Sequence, residues 1–237
     1  MSGFTLNKIL LASLLFMSMG AKAQEEKVAT LVEETVETKT PLLRGMSVSA
    51  DIIAPLTNVI STYGGYEAAL RINLKDKYFP VFELGLGTAD HTDEEKAIHY
   101  KTTAPYFRVG LDVNMLRNKN QGNRLYIGLR GGYTTFNYDY TSPAMTDPVW
   151  GGTINIDMKD KSSNMAWLEL VFGIEAEVFK DFHMGWSARY KARLHQKATQ
   201  NGDPWYVPGY GINGDTRFGA TYSLIFDLPL AKRKIVK

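Results

Sequence analysis

Segments of about ten residues in which apolar and polar side chains alternate strictly recur along this chain, a length and period that suit barrel strands. Period 2 puts successive side chains on opposite faces of a strand, so each segment has one apolar and one polar face. The clearest is 184–195, where Met184, Trp186, Ala188, Tyr190, Ala192 and Leu194 oppose Gly185, Ser187, Arg189, Lys191, Arg193 and His195. The final segment sets Phe218, Ala220, Tyr222, Leu224, Phe226 and Leu228 against Arg217, Gly219, Thr221, Ser223 and Asp227. Shorter stretches of the same kind occur at 46–52, 66–74, 79–88, 105–115, 125–133 and 168–178. Together they predict about eight strands, the minimum for a closed membrane barrel.

The connections point the same way. Those at 75–77, 117–123 and 180–182 are short, whereas those at 54–65, 89–104, 139–165 and 196–216 are long. Short and long connections alternate without exception, as in a barrel with short periplasmic turns, long extracellular loops and both termini in the periplasm. A soluble exported β-sandwich or lipocalin-like barrel would also alternate, with its apolar face inward. Long strands, Gly-rich polar faces, and the aromatics Trp186, Tyr190, Tyr222 and Phe226 on the apolar faces favour the closed antiparallel transmembrane β-barrel.

The start of the chain fits export. Residues 1–23 place Lys8 before an apolar run at 9–19 and end Ala21-Lys22-Ala23, the layout of a secretory signal peptide cleaved after Ala23. The apolar run falls short of the roughly 20 residues that a spanning helix needs. An acidic periplasmic leader is expected at 24–43, the outer-membrane β-barrel at 44–228, and a basic C-terminal tail at 229–237, with Pro229 ending the last strand. The whole chain has 27 basic and 25 acidic residues; without Lys8 and Lys22 the mature protein is left with 25 of each. That balance gives no basis for a nucleic-acid partner. With no cysteine, neither a lipoprotein anchor nor a disulfide is available.

Several runs carry a family likeness. Residues 217–224 (Arg217-Phe218-Gly219-Ala220-Thr221-Tyr222-Ser223-Leu224) resemble the assembly signal of bacterial outer-membrane barrels, with Gly219, Tyr222, Leu224 and Phe226 at its marked positions. The resemblance implies recognition by the barrel-assembly machinery, although further residues follow where many barrels stop. The runs 66–71, 74–80, 83–85, 89–92, 147–152 and 205–211 look like an uncharacterised, domain-of-unknown-function family of Bacteroidetes outer-membrane β-barrel proteins. This likeness spans nearly the whole mature chain and implies a fold and a compartment, the bacterial outer membrane. It implies no activity.

Candidate sites fall in two places. The polar faces turn Glu67, Arg71, Glu83, Arg108, Asp112, Arg130, Glu169, Glu175, Arg189, Lys191, Arg193 and Arg217 toward the lumen. Eight strands enclose a bore that side chains can fill, so these charges are expected to pair into a plug. The alternative is a narrow pore or binding barrel for a small polar or anionic solute. The long loops hold Trp150, Trp205, Tyr206 and Tyr210 among Gly and Pro, suited either to a binding surface or to a lid over the lumen.

Enzymatic readings find little support. Ser187 and His195, eight apart on one strand, lie about 26 Å from each other and cannot form a catalytic pair. His91, His99 and Asp203 show no metal or nucleophile spacing. The expectation is therefore no catalytic residue, no metal and no cofactor, and a structural or interaction component of the envelope acting through its extracellular loops. Outer-membrane lipids and an envelope protein are its expected partners; a barrel-borne hydrolase or acyltransferase comes third.

Overall fold

The computed structural model describes residues 42–93, 98–116, 122–146, 153–197 and 203–230, with side chains 143–156 excepted. The expected signal peptide, most of the leader, most of the basic tail and Trp150 lie outside the described residues. The alternating segments become strands: β1 (Leu43–Asp51), β2 (Tyr63–Leu74), β3 (Tyr78–Asp93), β4 (Ile98–Asn114), β5 (Arg124–Thr146), β6 (Thr153–Phe179) and β7 (Phe182–Gln196). A short helix, α1 (Ile53–Ile60), joins β1 to β2. The connection after β7 folds into a two-stranded sheet, β8 (Tyr206–Val207) and β9 (Gly211–Ile212), before β10 (Thr216–Pro229). Eight strands close an antiparallel barrel in the order β1-β10-β7-β6-β5-β4-β3-β2.

The short connections gather at one end, called here the turn end, with both barrel termini. Lys75 and Asp76 take φ of 55° and 53°, the paired left-handed conformation that matches a two-strand twist. The opposite end, the mouth, differs from expectation. Much of 89–104 and 139–165 is not loop: β3 and β4 continue to Asp93 and from Ile98, and β5 and β6 reach 23 and 27 residues. Residues 54–65 hold α1. Its Pro55 is in the first turn, where a missing N–H costs nothing, and the Asp51 carboxylate accepts from the N–H groups of Ile53 and Ala54.

The outward faces form an apolar belt, with Phe82, Leu84, Phe107, Val109, Leu129, Leu170, Phe172, Ile174 and Trp186 all between 46% and 69% exposed. Trp186 meets Tyr222 across strands with ring centroids 4.5 Å apart. Toward the mouth the belt ends: beyond Pro105 and Tyr133 the outward positions are Lys101, Thr103, Thr135, Asn137 and Asp139.

Inside, a narrow bore is accommodated by pairing glycine with an aromatic across strands. Gly85 faces Tyr106, Gly132 faces Trp167, and Gly173 faces Tyr126. A Cβ on Gly132 would fall 2.2 Å from Trp167 Cε2. Gly132→Ala should therefore push the ring into a packed neighbourhood and cost about 1–3 kcal/mol. A denaturant midpoint equal to that of the parent barrel would contradict this close-packing account.

Candidate functional site

The lumen between belt and axis is filled by ions. Arg71, Arg108, Arg124, Arg130, Arg189 and Lys191 make six cations, and Glu67, Glu83, Asp112, Glu169, Glu175 and Asp227 six carboxylates, so the network is neutral. Their placement follows from period 2: each lies on the inward face of its strand, at a height set by the register.

Near the turn end, Arg124 joins Glu175, 3.1 Å away, to Asp227, while Arg71 pairs with Glu175 and lies 3.4 Å from Asp112. Arg71 and Arg124 also stack over Tyr126 and Phe79 at 4.9 and 5.3 Å. Midway, Arg130 connects Asp112, at 2.9 Å, to Glu83. Glu83 is the hub, for Arg108 approaches it at 2.8 Å and Arg189 at 3.0 Å. Arg108 and Arg189 reach Glu169 as well, at 3.0 and 3.4 Å, and both bind Glu67. Tyr106 donates its hydroxyl to Glu67 at 2.8 Å, and Trp167 donates Nε1 to Glu169 at 2.7 Å. A void within the network measures about 10 Å³, room for roughly one water.

Above the ions the bore is closed by aromatic packing. Tyr100, Phe136, Tyr138, Met165 and Trp167 line the inner wall, and Tyr206, Val207 and Tyr210 descend onto them from the β7–β10 connection. This connection is tethered at several points. Tyr100 donates to the Tyr206 carbonyl at 2.7 Å and Tyr206 to the Gly64 carbonyl at 3.2 Å. Lys191 Nζ donates to the carbonyls of Gly209 and Tyr210, and Arg217 Nε to that of Ile212. Trp205 stacks on His91, with centroids 4.1 Å apart. Burial pushes the phenols of Tyr206 and Tyr210 above their usual range, since a phenolate there would lose its hydration.

The charges foreseen from sequence do not all meet. Arg193 and Arg217 lie outside the network: Arg193 binds Asp215 and Gln196 at the mouth, and Arg217 holds the lid. Both have the right parity, but sequence parity carries no height along the axis. Three participants were not among the candidates, although Asp227 stood on a polar face. Arg124 sits at the first residue of β5, Asp227 pairs with it across the turn end, and Trp167 joins from β6, opposite a bulge in β7 at Leu194. Of the two readings of the loop aromatics, the geometry is that of a lid: Tyr206 and Tyr210 are buried and Trp205 is half-buried, so they offer no exposed stacking platform.

The other polar candidates stay apart. Ser187 meets Thr221 inside the barrel, their hydroxyl oxygens 2.6 Å apart, whereas His195 is exposed at the mouth. His99 lies 3.7 Å from Asp90 and Asp203 only approaches Gln196. Among the described residues no group of acidic or histidine side chains has the arrangement of a metal site, and no helix is long and apolar enough to cross a membrane.

Two solved structures are similar to this chain. A major outer membrane protein from Thermus thermophilus matches with a TM-score of 0.50 at 12% identity, covering 77% of this chain and 98% of its own. Ail, the attachment invasion locus protein of Yersinia pestis, matches with a TM-score of 0.40 at 11% identity, covering 78% of this chain and 98% of its own. The first likeness shows the barrel fold. No curated protein matches. A family model described as Domain of unknown function (DUF6048) matches residues 5–233.

Proposed function

We propose that this chain, which belongs to the family described as Domain of unknown function (DUF6048), is a sealed barrel of the bacterial outer membrane that acts through its wall and outer surface. The observation that carries this reading is the neutral, lidded ion network across the bore. A conducting lumen needs a continuous wet path, and an anion-selective one also a bias of charge; here aromatic rings close the path, and below them cations and carboxylates cancel. The pore reading has no comparable observation in its favour.

The compartment rests on the belt. An outward apolar face ringing the barrel and giving way to polar residues at the mouth is what a hydrocarbon layer selects. The turn end with both barrel termini then faces the periplasm. The mouth faces out, and the expected export signal agrees with that orientation. Lipids contact the belt, and the assembly machinery acts on β10, where Tyr222, Leu224 and Phe226 share the outward face. With Trp205, Tyr206 and Tyr210 committed to the lid, contact with an envelope protein falls to the polar outer face of the β5–β6 hairpin, which carries Asn137, Asp139, Asp157 and Lys159.

Single-tryptophan variants test membrane insertion and sealing together. Trp186 on the belt is 47% exposed and Trp167 in the bore 1%. In vesicles, brominated acyl chains should quench Trp186, and aqueous iodide should fail to reach Trp167. Iodide quenching of Trp186, with no effect of brominated lipid, would identify a soluble barrel instead.

A further inference from the structure

The barrel is closed at the turn end and open at one seam toward the mouth. Pairing of β1 with β10 runs from Gly45↔Pro229 to Asp51↔Ser223 and stops; pairing of β1 with β2 stops at Ala50↔Ala68. Beyond those points β10 continues to Thr216 bonded to β7 alone, and β2 continues back to Tyr63 bonded to β3 alone. The break is made by β1 itself, which has 9 residues. Asp51 finishes it: its carboxylate accepts from the Tyr222 N–H at 3.0 Å, taking the place of a further strand residue, and turns the chain into α1. An unpaired strand edge within an apolar wall is costly and rare.

Helix α1 does not mend the seam. It lies on the outward side of β2, where its Asn58 backbone closes on Gly64 and its Asn58 Oδ1 accepts from Thr88 at 3.0 Å. Leu56, Val59 and Ile60 are left 54%, 82% and 79% exposed, and Phe218 on the opposite lip is 83% exposed. These apolar groups continue the belt on both sides of the gap. Behind the gap lies a cavity of about 380 Å³ between α1, β10 and the lid, within the range of small-molecule sites, roughly 300–1,000 Å³.

The charges at the back of that cavity are unequal in availability. Glu67 is held by Arg108, Arg189 and Tyr106, and Asp51 by three backbone N–H groups. Lys191 is engaged by two lid carbonyls. Arg217 donates Nε to Ile212 and makes no ion pair among the described residues, so its terminal nitrogens supply the unspent positive charge of the pocket.

We infer that the seam admits a single-chain amphiphile with an anionic head from the outer leaflet: its acyl chain passes between α1 and Phe218, and its phosphate or carboxylate meets Arg217. This rests on the membrane reading above. The two parts of the pocket require two parts of one molecule, since an apolar entrance selects a chain and a free guanidinium selects an anion.

Native mass spectrometry of the barrel released from zwitterionic detergent tests the inference with lysophosphatidylglycerol, lysophosphatidylcholine of the same chain length, and inorganic phosphate. The expected result is one lysophosphatidylglycerol retained per barrel, at least about tenfold over the choline lipid, undisturbed by millimolar phosphate. Arg217→Gln should abolish the headgroup preference while leaving chain retention. Gly219→Phe should abolish retention altogether, because a Cβ at Gly219 meets only Lys191 Cε, at 3.6 Å, and a ring there would project into the cavity. Equal retention of both lipids, or none, overturns the inference, and displacement by phosphate would show a site for a soluble anion instead. Quenching of Trp186 by brominated lipid, read on the same preparation in vesicles, separates this failure from failure of the membrane reading.

Discussion

Replacing Glu83 with alanine is expected to cost the folded barrel about 3–5 kcal/mol, the cost of breaking a buried ion pair by removing one partner. Glu83 is 2% exposed and is approached by Arg108, Arg130 and Arg189. Without it, three guanidinium groups share fewer carboxylates in a bore where water cannot replace them. Glu83→Gln should cost nearly as much, because the shape is kept and only the charge is lost. Adding Arg130→Gln to it should cost less than the two single losses combined, since the pair removes equal and opposite charge from one network. The exposed pair Lys101–Asp90, at 3.1 Å and more than half exposed on both sides, is the control, with an expected change under about 1 kcal/mol. Unfolding by urea from vesicles, followed by tryptophan fluorescence, measures these variants together with Arg130→Gln alone. A Glu83→Ala midpoint close to that of the surface control would mean that the bore is wet and the charges are individually solvated.

Trp167→Ala is the second large effect, expected at about 3–5 kcal/mol for a fully buried aromatic. The ring covers Gly132 and meets Tyr210 edge-on at 5.9 Å, so it supports the lid from below. Its Nε1–H is also one of the donors on Glu169. Trp167→Phe keeps most of the packing and loses that donor, which should cost about 1–3 kcal/mol. The alanine variant should in addition lose protection of the lid: Tyr206 and Tyr210 should become accessible to aqueous labelling. If labelling stays at the parent level while stability falls, the lid is held by its hydrogen bonds to Tyr100, Lys191 and Arg217 alone.

The wall of the barrel was legible because its two faces meet different surroundings over a full strand, as in 184–195. The mouth was not, and the reason is a change of solvent. Along β5 the apolar residue Tyr133 faces outward, but from Phe136 on the apolar residues Phe136, Tyr138 and Tyr140 face inward and Thr135, Asn137 and Asp139 outward. Water lies outside the wall there and the aromatic lid inside, so the sense of alternation inverts at the edge of the belt. A reading that requires one constant apolar face stops at that inversion and assigns loop. β4 does the same, with Tyr100, Thr102, Ala104 and Tyr106 buried and Lys101 and Thr103 exposed.

The site shows a similar division. Inward parity identified Glu67, Glu83, Arg108, Glu169 and Arg189, all of which meet. It also included Arg193 and Arg217, since parity does not encode how far a residue stands from the lid. Arg124 and Asp227 are joined only when the ring closes and the turn ends of β5 and β10 approach. Aromatic loop residues among Gly and Pro fit a lid and a platform equally well in composition; only the bonds from Tyr100, Tyr206 and Lys191 distinguish them.

Planar-bilayer recording of the purified barrel tests the sealed lumen most directly. No steady conductance is expected at any applied voltage the membrane tolerates. A stable, ohmic, anion-selective current from the unmodified protein would contradict it.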